Sequence, residues 1–274
     1  MQEPIFSNEL TIISGKLEQS AFPAPKQSAN TLFNFMKQIK YLKKILRNFA
    51  IIPRYVNEDI SYIGLGTDNL AIPMTCFCDI NMQRIEWHTK TYGKYGIAFH
   101  KDWSIRQGIQ PIHYINPNSF LLREYKDTFV RAEKYNGGDP EVENLRDYLL
   151  CHLAFMKPLY QYNEQGSSSY QNFHDEREWR YVPNMADISS DLPQILWGHH
   201  NNSVSRESCN KGLEKCPSSW LKFECKDIRY ILLPHEEALE SIVKYICSLK
   251  KISEDEKYIL CSKLICLNSL EEDI

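Results

Sequence analysis

Hydrophobic residues follow two different periods in the first third of the chain. Apolar runs of strand length occupy residues 31–37, "TLFNFMK", and residues 71–80, "AIPMTCFCDI". Between these runs, apolar side chains recur with the spacing of one helix face, at Ile39, Leu42, Ile45, Leu46 and Phe49. Pro53 follows and cannot continue a helix. The pattern therefore predicts a strand, an amphipathic helix and then extended chain that leads into a second strand.

The middle of the chain changes from strand patterns to helical ones. Runs at 95–103, "YGIAFHKDW", and 108–116, "GIQPIHYIN", have the length and composition of strands. Residues 118–160 differ, because "LRDYLLCHLAFMKPLY" has the apolar content of a well-buried helix that ends near Pro158. A shorter helix is expected around 119–134. Together they predict a helical insert between strands.

Strand patterns return in the second half, on either side of a long polar stretch. "EREWRYVP" and "FECKDIRYILLP" predict strands, whereas residues 184–220 are rich in Ser, Asn, His and Cys and predict a long loop or insertion. A helix is expected to begin near Pro234. Ser253, with an acid three residues later, has the pattern of an N-cap and predicts a last helix.

The order of these elements predicts an α+β fold with a mixed, mostly antiparallel sheet. Most connections are too short for the crossovers that parallel strands need. We expect an irregular lead-in over 1–30, one α+β domain over 31–250 with a helical insert at 118–160, and a C-terminal helix with an acidic tail over 251–274.

Composition excludes some classes of protein. The 274 residues carry a net charge of −3, so the whole chain has no field that would recruit nucleic acid or an anionic membrane. No apolar stretch approaches the roughly 20 residues of a membrane-spanning helix. The first residues lack a basic leader before an apolar run, so we expect a cytoplasmic protein without a membrane partner.

The nine cysteines are an odd number in a chain that is not short. Cys76 and Cys78 form a C-x-C run, but no second pair follows at the spacing of a zinc site. We therefore expect reduced thiols and no metal. Dinucleotide-binding, P-loop and nucleophile-elbow motifs are also absent from the sequence, which disfavours those classes of enzyme.

The stretch "DEREWRYVP" carries the strongest candidate chemistry. On a strand, Glu176, Glu178 and Arg180 share one face, while Arg177 and Trp179 face away. A carboxylate so placed can stabilise the oxocarbenium-like ribose that forms when nicotinamide leaves NAD, and a second can accept a proton. The alternative is an exposed strand whose glutamates pair with arginines; Arg180 fits an internal ion pair or a phosphate site.

An ordered set of segments resembles the AbiGi-type abortive-infection (phage resistance) family. The set comprises "TLFNFMK", "LKKILRNFAIIPRYVNED", "IPMTCFCDI", "YGKYGIAFHKDW", "PIHYIN" and "DEREWRYVP", and the similarity covers roughly residues 31–246. The resemblance implies a bacterial defence context in which infected cells stop growing. The family description makes the AbiGi-type protein an antitoxin that is paired with a separate toxin.

More remotely, the same frame resembles DNA- or protein-directed ADP-ribosyltransferases. This resemblance implies an ADP-ribosyltransferase-like sheet core with NAD as co-substrate and Glu178 as the catalytic carboxylate, assisted by Glu176. Leu42, Ile45 and Leu46 match the family's first helix. Asn34 stands where a His is usual, and Phe49-Ala50 where the helix commonly ends in Gly. An Asn can still donate to a ribose hydroxyl.

Several other residues are candidates for binding NAD. Arg54 or Tyr55, after the first helix, is expected at the same surface as Glu178, and Glu58 either lines that cleft or forms an exposed pair with Arg54. Tyr92 and Tyr95 can stack on a nicotinamide or a base, or pack in the core.

Three functions follow from these observations. The first is an effector of abortive infection that transfers ADP-ribose from NAD to a macromolecule. The second is a non-catalytic antitoxin or phage sensor that binds a toxin or a phage protein. The third is a nucleic-acid-directed enzyme with Lys37, Lys40, Lys43, Lys44 and Arg47 as its phosphate-binding face, although such a cluster also fits a solvated helix face.

Overall fold

The fold is known from a computed structural model, which describes residues 28–163, 169–188 and 190–271. The predicted lead-in over 1–30 lies outside these ranges except for its last three residues. The end of the acidic tail, from residue 272, also lies outside them.

Short strands outnumber helices in the described residues. In chain order the strands are β1 (Thr31–Met36), β2 (Ala50–Ile51), β3 (Arg54–Asp59), β4 (Asn69–Cys78), β5 (Tyr95–His100), β6 (Gln110–Pro111), β7 (His113–Ile115), β8 (Met156–Pro158), β9 (Tyr160–Asn163), β10 (Ser169–Asn172), β11 (Glu178–Tyr181), β12 (Leu196–Trp197), β13 (Leu221–Lys222), β14 (Ile228–Leu233) and β15 (Leu264–Cys266). The helices are α1 (Ile39–Asn48), α2 (Glu86–Tyr92), α3 (Lys101–Arg106), α4 (Phe120–Lys134), α5 (Pro140–Leu153), α6 (Ser203–Glu214), α7 (Glu236–Ser248), α8 (Glu254–Cys261) and α9 (Leu267–Glu271).

One nine-stranded sheet organises the fold. Its order is β15-β14-β5-β1-β4-β11-β6, and β3 and β12 also pair with β4. Among the described strands of this sheet, β14 and β15 pair in parallel and the other neighbours are antiparallel. The prediction of an α+β fold with a mixed, mostly antiparallel sheet is confirmed.

Helix α1 forms where the apolar period predicted it. Leu42, Ile45 and Leu46 are buried against one side of the sheet, in a core that includes Phe99. Each such side chain contributes about 1.5–3 kcal/mol by leaving water. The helix ends at Phe49, whose φ of 48° is left-handed, the region that a Gly commonly adopts at this position.

The insert builds a second core on the N-terminal half of β4. Leu122, Tyr125 and Phe129 of α4 pack with Leu149 of α5 and with Ile72 of β4. The predicted helix "LRDYLLCHLAFMKPLY" is partly wrong, because α5 ends at Leu153 and the following residues form β8. Strand β8 pairs in parallel with β7, so the backbone groups of the two strands bond each other. The helix before it is also not the shorter one, since α4 has 15 residues and α5 has 14.

Residues 184–220 are not a continuous loop. They contain β12 and the 12-residue helix α6, whose first turn is capped by the Asn202 side chain. Helix α6 was missed because, among its residues, Leu213 alone is buried, so it has little apolar period. Strand β15 was also missed, since its three residues were taken as part of the last helix.

Within the described ranges, none of the helices is both long and apolar enough to cross a membrane.

Candidate functional site

The two glutamates of "DEREWRYVP" bring their carboxylates together, but they do not do so as neighbours on one strand. Glu176 ends a 3₁₀ turn, Arg177 adopts a left-handed φ of 45°, and β11 begins at Glu178. The prediction that Glu176 lies on the strand is therefore wrong. The turn nevertheless brings its carboxylate beside that of Glu178. Trp179 faces away into the core on the other side of the sheet, as predicted.

Lys157 holds the two glutamates together. Its Nζ lies 2.6 Å from Glu176 Oε2 and 3.2 Å from Glu178 Oε2. The same ammonium lies 4.6 Å from the centre of the Phe173 ring, at a distance where a cation is attracted to the ring face. Because β8 places Lys157 beside β11, one cation offsets part of the repulsion between two buried carboxylates.

Arg180 is fully buried and binds a third carboxylate. Its Nε donates to Glu178 Oε1 at 2.8 Å, and one terminal nitrogen lies 2.7 Å from Glu58 Oε2. The other terminal nitrogen donates to the Ala154 carbonyl at 2.8 Å. The result is an ion-pair network, which we call the cleft network. Its members are Glu58, Lys157, Glu176, Glu178 and Arg180.

The cleft network contains three carboxylates and two cations, and it keeps Glu178 ionised. Burial alone would raise the pKa of Glu178, but Arg180 and Lys157 outweigh burial and lower this pKa to about 2. Burial also acts against the charge on Lys157, yet Glu178, Glu58 and Glu176 hold the pKa of Lys157 above its ordinary value. Proton transfer between them is thus disfavoured at neutral pH.

Hydroxyl and thiol groups complete the surroundings of the carboxylates. The Tyr92 hydroxyl bonds Glu176, and burial together with that carboxylate raises the pKa of Tyr92. The Cys76 thiol bonds Glu178, and its pKa is raised by burial and then by Glu178. Tyr114 accepts the backbone N–H of Glu178 at 2.6 Å. Tyr92 and Cys76 are therefore neutral donors aimed at ionised carboxylates.

A cleft of about 700 Å³ opens beside this network, where β1 and β4 part. Strand β1 pairs with β5 along its whole length, but its register with β4 contains the Phe33–Cys78 pair alone within the described residues. Beyond that pair, Asn34 Nδ2 donates to the Cys76 carbonyl at 2.9 Å. The lining combines apolar side chains with carboxylates and lysines, so the cleft has the size and mixed polarity of a small-molecule site.

The structure brings together most of the residues predicted for the site. Asn34, Arg54 and Tyr92 line the cleft with Glu176 and Glu178. Glu58 also lines the cleft, in agreement with the first of the two alternatives for this residue, a cleft position or an exposed pair with Arg54. Arg180 does not line the cleft but is buried next to it, where it forms an ion pair with Glu178. An internal ion pair was one of the two interpretations of Arg180 from the sequence.

Two predicted residues lie elsewhere. Tyr55 is buried in a different core cluster with Leu196 and Leu213, and its hydroxyl donates to the Pro193 carbonyl. It points away because neighbouring strand residues face opposite sides, and Arg54 takes the cleft side. Tyr95 packs against the core next to α1 and borders a separate surface pocket. Of the two residues offered after the first helix, Arg54 is thus the one that lines the cleft, and Tyr95 follows the core-packing alternative.

Sequence reasoning missed Lys157 and α6. Lys157 lies in the apolar run "AFMKPLY", where a lone lysine before Pro158 was the available signal. Helix α6 supplies Glu207, Asn210, Lys211 and Glu214 to one side of the cleft. Glu214 pairs with Lys44 of α1 at 2.5 Å, so this contact joins α6 to α1 at the cleft.

Within the described ranges, no group of three or more His, Cys, Asp or Glu side chains is arranged to hold a metal ion.

Comparisons with known proteins agree on one family. Residues 49–234 match the sequence model of the family described as abortive phage resistance protein AbiGi, antitoxin. The abortive phage resistance protein AbiGi of Lactococcus lactis subsp. cremoris is 33% identical over 251 residues, which cover 82% of this chain and 99% of that protein. No solved structure matches, so the α+β fold has no structural relative to support an ADP-ribosyltransferase-like core. The chain belongs to the AbiGi family of abortive phage resistance proteins.

Proposed function

We propose that the protein is the antitoxin of a bacterial abortive-infection system and acts by binding a separate toxin protein. The observation that carries this proposal is the match to a family described as an antitoxin, together with similarity along nearly the whole of the Lactococcus relative. An antitoxin that acts by binding needs no catalytic group, and the cleft network is then a structural ion-pair network in which every carboxylate has a cation partner.

Growth rescue tests the antitoxin function. A candidate toxin, taken from a gene that neighbours the gene of this chain, is expressed from an inducible promoter, with this full chain or an empty vector beside it. We expect growth to resume when the chain is present and the two proteins to elute as one complex. If growth stays arrested while the chain is folded and abundant, the antitoxin proposal is wrong.

A second candidate function is ADP-ribosyl transfer from NAD, favoured by the position of the two glutamates. Glu176 and Glu178 lie on the wall of a cleft large enough for a nucleotide, with Asn34 and Tyr92 beside them. In such a reaction, the bond between the ribose and nicotinamide breaks as an acceptor oxygen or nitrogen bonds the same carbon. The ionised Glu178 would stabilise the cationic sugar, and Glu176 would take the acceptor's proton.

Labelled NAD separates the two candidates. The full chain is incubated with labelled NAD and with lysate from infected and uninfected cells, and transfer of label is measured. If the chain is catalytic, Glu178→Gln lowers transfer about 10²–10³-fold, the usual loss for an electrostatic stabiliser. Asp79→Asn is the matched control, since Asp79 is also buried and ion-paired but does not line the cleft. Growth rescue without transfer favours the antitoxin function.

A further inference from the structure

Basic residues are concentrated in one segment of this acidic chain. Residues 19–57 contain seven Lys and Arg and no Asp or Glu, while the whole chain has a net charge of −3. The described part of this segment forms β1, α1 and the start of β3, which border the cleft on one side. The side of the cleft formed by this segment therefore carries a positive charge that the total charge conceals.

A second pocket extends this positive surface. It has a volume of about 420 Å³ and lies where β1, the end of α2 and the start of α7 meet. Lys37, Lys90, Lys94 and His235 border it, and Lys37 also borders the cleft. Lys90 is bound to Glu86, and His235 lies 2.7 Å from Glu237. Within the described residues, neither Lys37 nor Lys94 takes part in an ion pair.

Exposed aromatic rings lie among these lysines. Tyr41 of α1 is 39% exposed and borders the cleft, and Lys40 lies 5.1 Å from the centre of its ring. Trp87 of α2 is 44% exposed, and its ring lies 6.0 Å from that of Tyr92, another residue of the cleft wall. We call Lys37, Lys40, Tyr41, Trp87 and Lys94 the basic rim.

We propose that the basic rim binds single-stranded nucleic acid across the mouth of the cleft. Lysines supply contacts to successive phosphates, and exposed aromatic rings stack on bases that are not paired. An acidic protein segment would use the lysines but would leave the two exposed rings without a stacking partner. The rim therefore fits a nucleic-acid strand better. The proposal rests neither on the antitoxin function nor on NAD transfer, although Lys37 and Tyr41 also border the cleft.

Charge on the opposite side of the cleft limits where the strand runs. Helix α6 carries Glu207 and Glu214 there, together with Lys211. Glu214 already neutralises Lys44 of α1. Helix α6 therefore adds no net positive charge on its side of the cleft, because Glu207 pairs with Lys211 and Glu214 with Lys44. A polyanion is favoured instead along the side that carries Lys37 and Lys94. The strand would pass from the pocket beside Lys94, over Lys37, to Tyr41.

Fluorescence anisotropy tests the proposal on the full chain. A short labelled oligouridylate or oligothymidylate is titrated with the parent protein and with Lys37→Gln/Lys94→Gln. The matched control is Lys250→Gln/Lys251→Gln, which removes the same charge from exposed lysines just after the far end of α7. We expect the rim variant to bind about tenfold more weakly and to lower the slope of log K against log salt by about 1.4. The control should bind like the parent.

A second variant distinguishes nucleic acid from an acidic protein. Tyr41→Ala removes a stacking ring without changing charge, and we expect it to weaken binding about tenfold. The proposal is overturned if both double variants bind alike, or if the parent binds no strand at low salt. It is also overturned if polyglutamate displaces the strand readily and Tyr41→Ala binds like the parent, since that result assigns the rim to an acidic protein partner.

Discussion

Two groups of buried charges flank β4 and differ in their composition. Near the C-terminal end of the strand, Lys101 Nζ lies 2.6 Å from Asp79 Oδ2 and also donates to Ser28 Oγ and the Ala29 carbonyl. This pair has one charge of each sign. The cleft network, in contrast, has three carboxylates for two cations and borders a cleft.

This difference in charge balance separates a pair that serves the structure from a network that borders a candidate binding site. The Lys101 ammonium also lies 5.2 Å from the centre of the Trp179 ring in β11. Because it bonds Ser28 and Ala29 as well, it joins the start of the described chain to the sheet. A neutral pair surrounded by protein is explained by structure alone. The cleft network has one more carboxylate than it has cations and borders a cleft, and this is why the second candidate function, ADP-ribosyl transfer, is placed there.

The largest expected effect comes from removing the central cation. Arg180→Met leaves the buried Glu178 and the half-buried Glu58 without their shared partner, so it should lower the free energy of unfolding by about 3–5 kcal/mol. Urea denaturation measures this loss. Lys101→Met is the control, and it should cost less because it leaves one carboxylate, Asp79, without its cation. Equal losses would contradict the distinction between the two groups.

The next effect is a dependence of stability on pH. The pKa of Glu178 is lowered from 4.5 to about 2, so its contribution is fully present above the unfolded value and is lost as the pH falls through the folded one. The difference corresponds to on the order of 3 kcal/mol. Glu178→Gln lacks this contribution. The gap in unfolding free energy between parent and variant should therefore shrink from about pH 5 to about pH 3. A constant gap would show that the network does not hold Glu178 ionised.

A smaller effect is expected where β1 leaves β4. Asn34→Ala removes the amide that donates to the Cys76 carbonyl, so it should lower the free energy of unfolding by about 1 kcal/mol. Thermal or urea unfolding measures it. The control is Asn48→Ala at the end of α1, which removes the same amide group at a distance from the Cys76 carbonyl. Asn172→Ala would not serve, because Asn172 caps a turn. If both variants lose equally, the bond to Cys76 contributes nothing specific.

The smallest effect concerns the contact between α1 and α6. Lys44 and Glu214 have side chains that are 35% and 54% exposed, so their pair should contribute below about 1 kcal/mol. A double-mutant cycle with Lys44→Gln and Glu214→Gln measures the coupling, which should decrease further at high salt. If the coupling free energy were as large as the stability lost in Arg180→Met, the pair would contribute like a buried ion pair, and the prediction would be wrong.

Much of the sheet and of the first helix was predictable, because burial imposes a period on the sequence. Strands β1 and β4 and helix α1 each place apolar residues against a core, and their patterns appear in the residues themselves. Helix α6 has little buried surface and leaves no such pattern. The turn at Arg177 has neither Gly nor Asn to indicate its left-handed φ, so Glu176 was assigned to a strand.

The site was predictable in part, for a related reason. Alternation along a strand correctly grouped Glu178 with Arg180 and separated Trp179, since that rule depends on local geometry. Lys157 comes from β8, at the end of the predicted insert, and its contact with Glu178 depends on the tertiary fold. The choice between Arg54 and Tyr55 stayed open because sequence alone does not tell which side of β3 faces the cleft.

The early separation of β1 from β4 has a consequence for detecting any occupant of the cleft. In a strand, successive backbone N–H groups point to opposite edges, so every second amide along residues 34–36 is directed away from β5 and toward the gap. Such amides exchange with solvent deuterium more readily than those bonded to β5. A molecule that fills the gap slows this exchange, so the mass gained by a peptide containing residues 34–36 reports occupancy before the chemical identity of the molecule is known.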